Sequence, residues 1–145
     1  NYRGNYVVLV FWPFSFCALA QQEILELNEK VDTFEDEAEA VIIGCSRETK
    51  VSLMTFAKTR HEDGGVMGVR FPLLADITGE ISVAYGCALF DQELRGAPLR
   101  ASYIIDKEGI LRHVSILDIG VKRSADELLR LVQAIKFADE NGPLY

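Results

Sequence analysis

The sequence predicts one α/β domain spanning residues 1–145, a three-layer sandwich with a mixed central sheet and helices on both faces. Three observations carry that prediction. The apolar segments run strand, helix, strand, helix, then strand, helix, strand hairpin and closing helix, an order that builds a parallel first half and an antiparallel second half. Two of the strands are continuous apolar, β-branched runs, the pattern of strands covered on both faces. The length of 145 residues suits one core, since a chain of that size removes roughly 68–70% of its extended surface from water.

Tyr6 to Trp12 is the first buried strand, stopped by Pro13. A helix is predicted from about Cys17 to Asp36, because Leu19, Ile24, Leu27, Val31 and Phe34 recur at helical spacing. Glu35 to Glu39 form an acidic break before a second buried strand, Ala40 to Gly44. Thr49 to Thr59 reads as a helix with Val51, Met54 and Ala57 on its apolar face, and Asp63-Gly-Gly65 closes that unit as a loop. Phe71 to Asp76 is extended, and Glu80 to Tyr85 is a short helix ended by Gly86. Ser102 to Asp106 and Leu111 to Ile116 are strands joined by the turn Lys107-Glu-Gly109. Ser124-Ala-Asp-Glu127 is a capping box opening a last helix to about Ala138, which buries Leu128, Leu131, Val132 and Ile135.

Composition excludes several function classes. Fifteen Lys and Arg against 22 Asp and Glu leave a net charge of −7, which argues against nucleic acid or an anionic membrane as the partner. The longest apolar stretch, Tyr6 to Ala20, is broken by Pro13 and Ser15 and is too short to span a bilayer. No secretory leader is legible in Asn1 to Asn5. Cys17, Cys45 and Cys87 form no CxxC and, with only His61 and His113, imply no metal site and no cofactor. An odd, sparse set of cysteines fits reducing surroundings, with a Cys17–Cys45 disulfide as the one pairing the strand order brings to mind. In open sheets of this kind chemistry gathers beyond the carboxyl ends of the strands, here the turn Pro13 to Ala20 and the segment at Cys45 and Ser46.

Along nearly its whole length the chain resembles the typical two-cysteine peroxiredoxins, which have a thioredoxin-like fold. The fragments that carry the resemblance are Tyr6-Val-Val-Leu-Val-Phe-Trp-Pro13, Gly44-Cys-Ser46, Asp63-Gly-Gly65, Phe71 to Ser82, Tyr85-Gly86, Asp91-Gln92, Leu99-Arg100, Ile104 to Gly109 and Arg123 to Ala134. The resemblance implies reduction of hydroperoxides by a cysteine at the first turn of a helix, in a PxxxTxxC motif. There a helix N-terminus and an arginine favour the thiolate, which becomes a sulfenic acid and is resolved by a second cysteine.

Laid on this sequence, the motif places Pro13 at the proline, Cys17 at the threonine and Ala20 at the peroxidatic cysteine. Gln21 and Gln22 replace the usual Pro-Thr, and Glu23 and Ile24 return to the pattern. Tyr145 falls about where the resolving cysteine would stand, and Gly64-Gly65-Val66-Met67 departs from the family's Gly-Gly-Leu-Gly loop. The strand pair that precedes Tyr6 in the family and the family's C-terminal tail are expected to be missing. Arg100 matches the arginine facing the thiolate and has an ion pair as its plainer role; Glu23 matches a nearby carboxylate or is a stabilising acid of the first helical turns. Cys17 is read either as a small hydrophobe in place of threonine or as a displaced nucleophile. Cys45 and Cys87 read as packing residues, the two histidines as surface residues, and Phe11, Trp12, Phe14 and Phe16 as core or pocket lining.

The leading expectation is therefore a degenerate, catalytically inactive family member retained as a structural or binding subunit. The alternatives are a thiol peroxidase using Cys17, reduced by thioredoxin or glutathione, and a holdase-like chaperone. The resemblance implies a homodimer, or a heteromeric assembly, through the hairpin's edge strand at Leu111, His113, Val114 and Ile116 or through the degenerate site, where Phe14 to Phe16 would otherwise be an apolar patch. It also favours an organelle, plastid or mitochondrion, over the cytoplasm.

Overall fold

A computed structural model describes residues 1–90 and 93–143 of the chain. Tyr145, and Asp91-Gln92 of the resemblance, lie outside the described residues. The strands are β1 (Tyr6–Phe11), β2 (Ala40–Ser46), β3 (Leu73–Ala75), β4 (Arg100–Ile105) and β5 (Leu111–Leu117). The helices are α1 (Ala18–Glu29), α2 (Val31–Ala38), α3 (Lys50–Lys58), α4 (Glu80–Ala84) and α5 (Ala125–Asn141), with a 3₁₀ turn at His61–Asp63. The sheet order is β3-β2-β1-β4-β5, parallel from β1 to β3 and antiparallel across β1/β4 and β4/β5. This is the mixed sheet the segment order predicts. Among the described residues no helix is long and apolar enough to cross a membrane.

Alternation along the central strands sorts the core into two sides. Tyr6, Val8, Val10 and Trp12 of β1 and its extension join Ala40 and Ile42 of β2 and Ile104 of β4 in a large cluster beneath α1, α2, α3 and α5. Leu9, Phe11, Ile43, Cys45, Ala101 and Tyr103 point the other way, packed with Cys87, Ile81 and Tyr85 from α4 and the segment after it. Helices thus lie on both faces, but unequally.

Three expectations need correction. The helix predicted from Cys17 to Asp36 is two helices, which part at Lys30 (φ −102°, ψ 4°). There the Lys30 N–H bonds Leu27 and the chain turns, so that Val31, Phe34 and Ala38 reach the core from a second axis. In α3 the buried residues are Leu53 and Phe56, while Val51 and Met54 face outwards; both faces of that helix carry apolar residues, and spacing alone does not choose between them. The closing helix continues past Ala138 to Asn141; its Ser124 cap accepts the Glu127 N–H at 3.2 Å, but the Glu127 carboxylate bonds Arg130 instead, so only the Ser124 half of the predicted capping box is made.

Gly44 connects the fold to the site. A Cβ there would stand 2.7 Å from the Trp12 ring and 3.0 Å from Leu73, so only glycine lets the buried indole lie across β2. Gly44→Ala is expected to cost about 1–3 kcal/mol by overpacking, measured as a lower denaturant midpoint with an unchanged slope.

Candidate functional site

β1 and its extension deliver the chain to buried Pro13, whose fixed φ ends the strand. A turn through Phe14, Ser15 and Phe16 then leads to Cys17, the N-cap of α1, in extended conformation (φ −102°, ψ 149°). The Cys17 Sγ does the work a capping hydroxyl would do: it accepts the Ala20 N–H at 3.4 Å, and the thiol donates to the Phe14 carbonyl at 3.3 Å. Cys17 is half-buried, whereas Ala20, one turn on, is wholly enclosed in the core. From the first turn of α1, the Gln21 amide donates to the carbonyls of His61 (2.6 Å) and Gly65 (3.0 Å), tying that loop to the helix start.

Arg100 opens β4 and is 2% exposed. Its Nη1 pairs with Glu23 Oε1 at 2.7 Å, its Nε donates to the Ile119 carbonyl at 2.6 Å, and its Nη2 lies 3.7 Å from Cys17 Sγ. The ion pair and the thiol-facing role are thus both met by one guanidinium. Glu23 is equally buried, and its other oxygen holds a second guanidinium, that of Arg123. Arg123 also donates to the Ala101 carbonyl (2.8 Å), Ser102 Oγ (3.1 Å) and the Phe11 carbonyl. Burial draws the Arg123 guanidinium below its ordinary pKa, and the Glu23 carboxylate opposes that shift. Two cations share one carboxylate here, and Arg100 turns its last nitrogen to the Cys17 sulfur.

The structure therefore gathers Pro13, Cys17, Ala20, Glu23 and Arg100 at one corner, beyond the carboxyl end of β1. It adds Arg123, which the sequence reading left inside a resemblance fragment. The only sequence signal for it is its place directly before the Ser124 cap, which fixes where its backbone lies. Cys45 and Cys87 are fully buried in the core on the opposite face of the sheet. Burial pushes the Cys45 thiol up to about 12 and the Cys87 thiol up to about 11. All three cysteines are free, and the Cys17–Cys45 pairing fails because Cys17 packs against one face of the sheet and Cys45 against the other. Phe14 and Phe16 are exposed rather than core, and form an apolar rim next to Cys17. His61 is exposed with its Nε2 2.8 Å from the Met67 carbonyl, while His113 is half-buried on β5.

A half-exposed thiol on a helix N-cap, with a backbone N–H and a guanidinium aimed at it, can attack an electrophilic atom while the donors hold negative charge that develops on a departing oxygen. Relatives of known name bear on that chemistry. The profile of the AhpC/TSA family matches residues 1–114. A thioredoxin peroxidase of Echinococcus granulosus is 38% identical over 142 residues, covering 98% of this chain and 72% of that protein. The mitochondrial thioredoxin-dependent peroxide reductase of Drosophila melanogaster is 39% identical over 142 residues, covering 98% of this chain and 59% of that one. The reduced 2-Cys peroxiredoxin of Plasmodium vivax superposes with a TM-score of 0.89 at 33% identity, over 96% of this chain and 69% of that structure.

These relatives overturn the expectation of a catalytically inactive structural or binding subunit. That expectation rested on Ala20, where a thiol would be needed if the motif were read position by position. Near-complete similarity to proteins named as peroxidases points instead to peroxidase chemistry, and alanine at residue 20 leaves a sulfur at the same helix end, one turn earlier. The chain, matched over most of its length by that family's profile and over nearly all of it by peroxiredoxins, belongs to the AhpC/TSA family.

Proposed function

We propose that the chain is a thiol peroxidase whose nucleophile is Cys17. The observation that carries the reading is the approach of Arg100 Nη2 to Cys17 Sγ at 3.7 Å, on the N-cap of α1. The thiolate attacks one oxygen of a hydroperoxide and the O–O bond breaks. The other oxygen leaves with the bonding pair and takes a proton, giving water or an alcohol, and the sulfur is left as a sulfenic acid. A reductant thiol of the thioredoxin or glutathione class then displaces water to form a mixed disulfide, and a second thiol of that reductant releases Cys17. In this cycle Arg100 and the Ala20 N–H bind the peroxide oxygens, Glu23 fixes Arg100, and Arg123 fixes Glu23. The chain spans 59% of the mitochondrial relative, and an organellar setting is part of the proposal on that relative's name.

Thiol reactivity tests the assignment. At pH 8 the populations of Cys45 and Cys87 thiolate are roughly one in ten thousand and one in a thousand for the values that burial imposes. A chromogenic disulfide should therefore titrate one thiol in the folded protein and all three after unfolding. Stoichiometric hydrogen peroxide should add one oxygen to that thiol, seen by intact mass and by a sulfenate trap. In Cys17→Ser the rapid oxygen addition should vanish; persistence at the wild-type rate rules Cys17 out.

Arg100→Met tests the donor. Glu23 keeps Arg123, so the carboxylate is not stranded. The second-order rate of sulfenate formation should fall about 100-fold, the usual loss for one charge-stabilising donor, with the folded circular dichroism spectrum retained.

The assembly proposed is a homodimer through β5. This strand is an outer edge of the sheet, and Leu111, Val114 and Ile116 are exposed on it. Across β4 the half-buried His113 stands opposite Ile104. Val114→Lys places a charge on that edge and should shift the light-scattering mass from dimer to monomer.

A further inference from the structure

The turn ahead of Cys17 is held by a carboxylate that takes no part in the chemistry just described. Glu48 lies between β2 and α3 and is half-buried. Its Oε2 accepts the Ser15 hydroxyl at 2.6 Å and the Ser15 N–H at 3.3 Å, and its Oε1 accepts the Ser52 hydroxyl at 3.0 Å. Ser15 Oγ in turn accepts the indole N–H of Trp12 at 3.2 Å. Glu48 is not needed as a cap for α3, because Thr49 already accepts the Ser52 N–H at 3.0 Å.

The residue after Ser15 shows what this clamp holds. Phe16 has φ 60°, the left-handed region, which costs a bulky L residue about 1–2 kcal/mol. Such a conformation persists only where its surroundings over-determine it. Those surroundings are the Glu48–Ser15 bonds before it and the contact of its ring with Phe56, with centroids 5.1 Å apart. The Phe16 torsion sets the direction in which the chain enters α1, and hence where the next side chain, Cys17, is aimed.

We infer that Glu48 is a positioning residue: by clamping Ser15 it holds Phe16 left-handed and so sets Cys17 Sγ against the Ala20 N–H and Arg100 Nη2. The inference rests on Cys17 as the nucleophile for its effect on rate, though not for its effect on geometry. Glu48→Ala frees the turn, Phe16 relaxes to negative φ, and the sulfur leaves its two donors. Glu48→Gln keeps an oxygen for Ser15 and an amide for Ser52, and so preserves the clamp.

The test compares wild type, Glu48→Ala, Glu48→Gln, Ser15→Ala and the double variant carrying Ser15→Ala and Glu48→Ala. It measures the rate of Cys17 oxidation by hydrogen peroxide, the rate of alkylation by iodoacetamide, and the crystal structure of Glu48→Ala. The pH-independent rate of peroxide oxidation by the thiolate should fall about 10- to 100-fold in Glu48→Ala, the scale of loss when a reacting group is misplaced by an ångström, while the pH-independent rate of thiolate alkylation, whose transition state uses neither donor, changes less than about twofold on the same argument. Glu48→Gln should recover most of the peroxide rate. Ser15→Ala should slow it too, and the double variant should be no slower than Glu48→Ala, the non-additivity of residues acting through one contact. An unchanged peroxide rate in Glu48→Ala, or an equal loss of both rates, overturns the inference. So does a crystal structure of that variant with Phe16 still left-handed and the sulfur still beside Arg100, a result that stands even if the protein proves inert to peroxide. Inertness of the wild type, by contrast, refutes the nucleophile assignment before any Glu48 variant is made.

Discussion

A carboxylate shut away from water needs cations or hydrogen-bond donors, and Glu23 finds two cations. Its partners Arg100 and Arg123 are as buried as it is, and neither charge would be tolerable in the core alone. The consequences spread outward from this triad. Arg123 uses its remaining N–H groups on the carbonyls of Phe11 and Ala101 and the hydroxyl of Ser102, so the end of β1, the middle of β4 and the entry to α5 are bolted to α1. Arg100, held at one end by Glu23 and along its side by the Ile119 carbonyl, has one direction left for its last nitrogen, and that direction is Cys17. With two guanidiniums and one carboxylate the cluster keeps an excess positive charge. The place where α1 begins is therefore electropositive twice over, from the cluster and from the free N–H groups of the helix.

On the proposed reading, that arrangement is why alanine at residue 20 does not empty the site. The donors are set by the backbone of α1 and by the triad, not by the residue that happens to stand among them. Ala20 is fully enclosed, so its contribution is an N–H, and that N–H points at the sulfur of the N-cap residue. A thiol in the capping position meets the same helix end and the same arginine, and it is the half-exposed member of the pair. Read as letters, the motif has lost its cysteine; read as geometry, it has a sulfur one helical turn away with the donors retained.

Much of the fold is legible in the sequence because burial writes itself as periodicity. The unbroken, β-branched run from Tyr6 to Trp12, stopped by Pro13, reads as a strand covered on both faces, and Ser124 to Glu127 announces the start of α5. Glu23 and Arg100 are legible only through resemblance, and Arg123 only by its place before the Ser124 cap, because a buried arginine interrupts no hydrophobic pattern when it sits in a loop before a cap. The break at Lys30 is equally silent: the apolar spacing from Leu27 to Val31 suits one helix or two, and the second axis follows from the packing of α2 against β2 and α5. Glu48 looks like any surface acid near a helix start, and what distinguishes it, a bond to Ser15 across 33 residues, exists only once β1 and β2 are side by side.

The division of labour between scaffold and turn follows from where strain can be stored. β1 and β2 are paired along their full length and pack large side chains on both faces, so they cannot absorb an unfavourable torsion without losing ladder bonds. The turn from Pro13 to Phe16 has no ladder to lose. It can hold a left-handed phenylalanine provided something outside it fixes its ends: Trp12 is locked behind Gly44, Ser15 is bonded to Glu48, and Cys17 is committed to α1. Fixed at three points, the turn has little freedom left in where it places the sulfur. The precision of a site on a loop is then borrowed from the rigid elements that pin it, and it fails at the weakest pin rather than at the residue proposed to react.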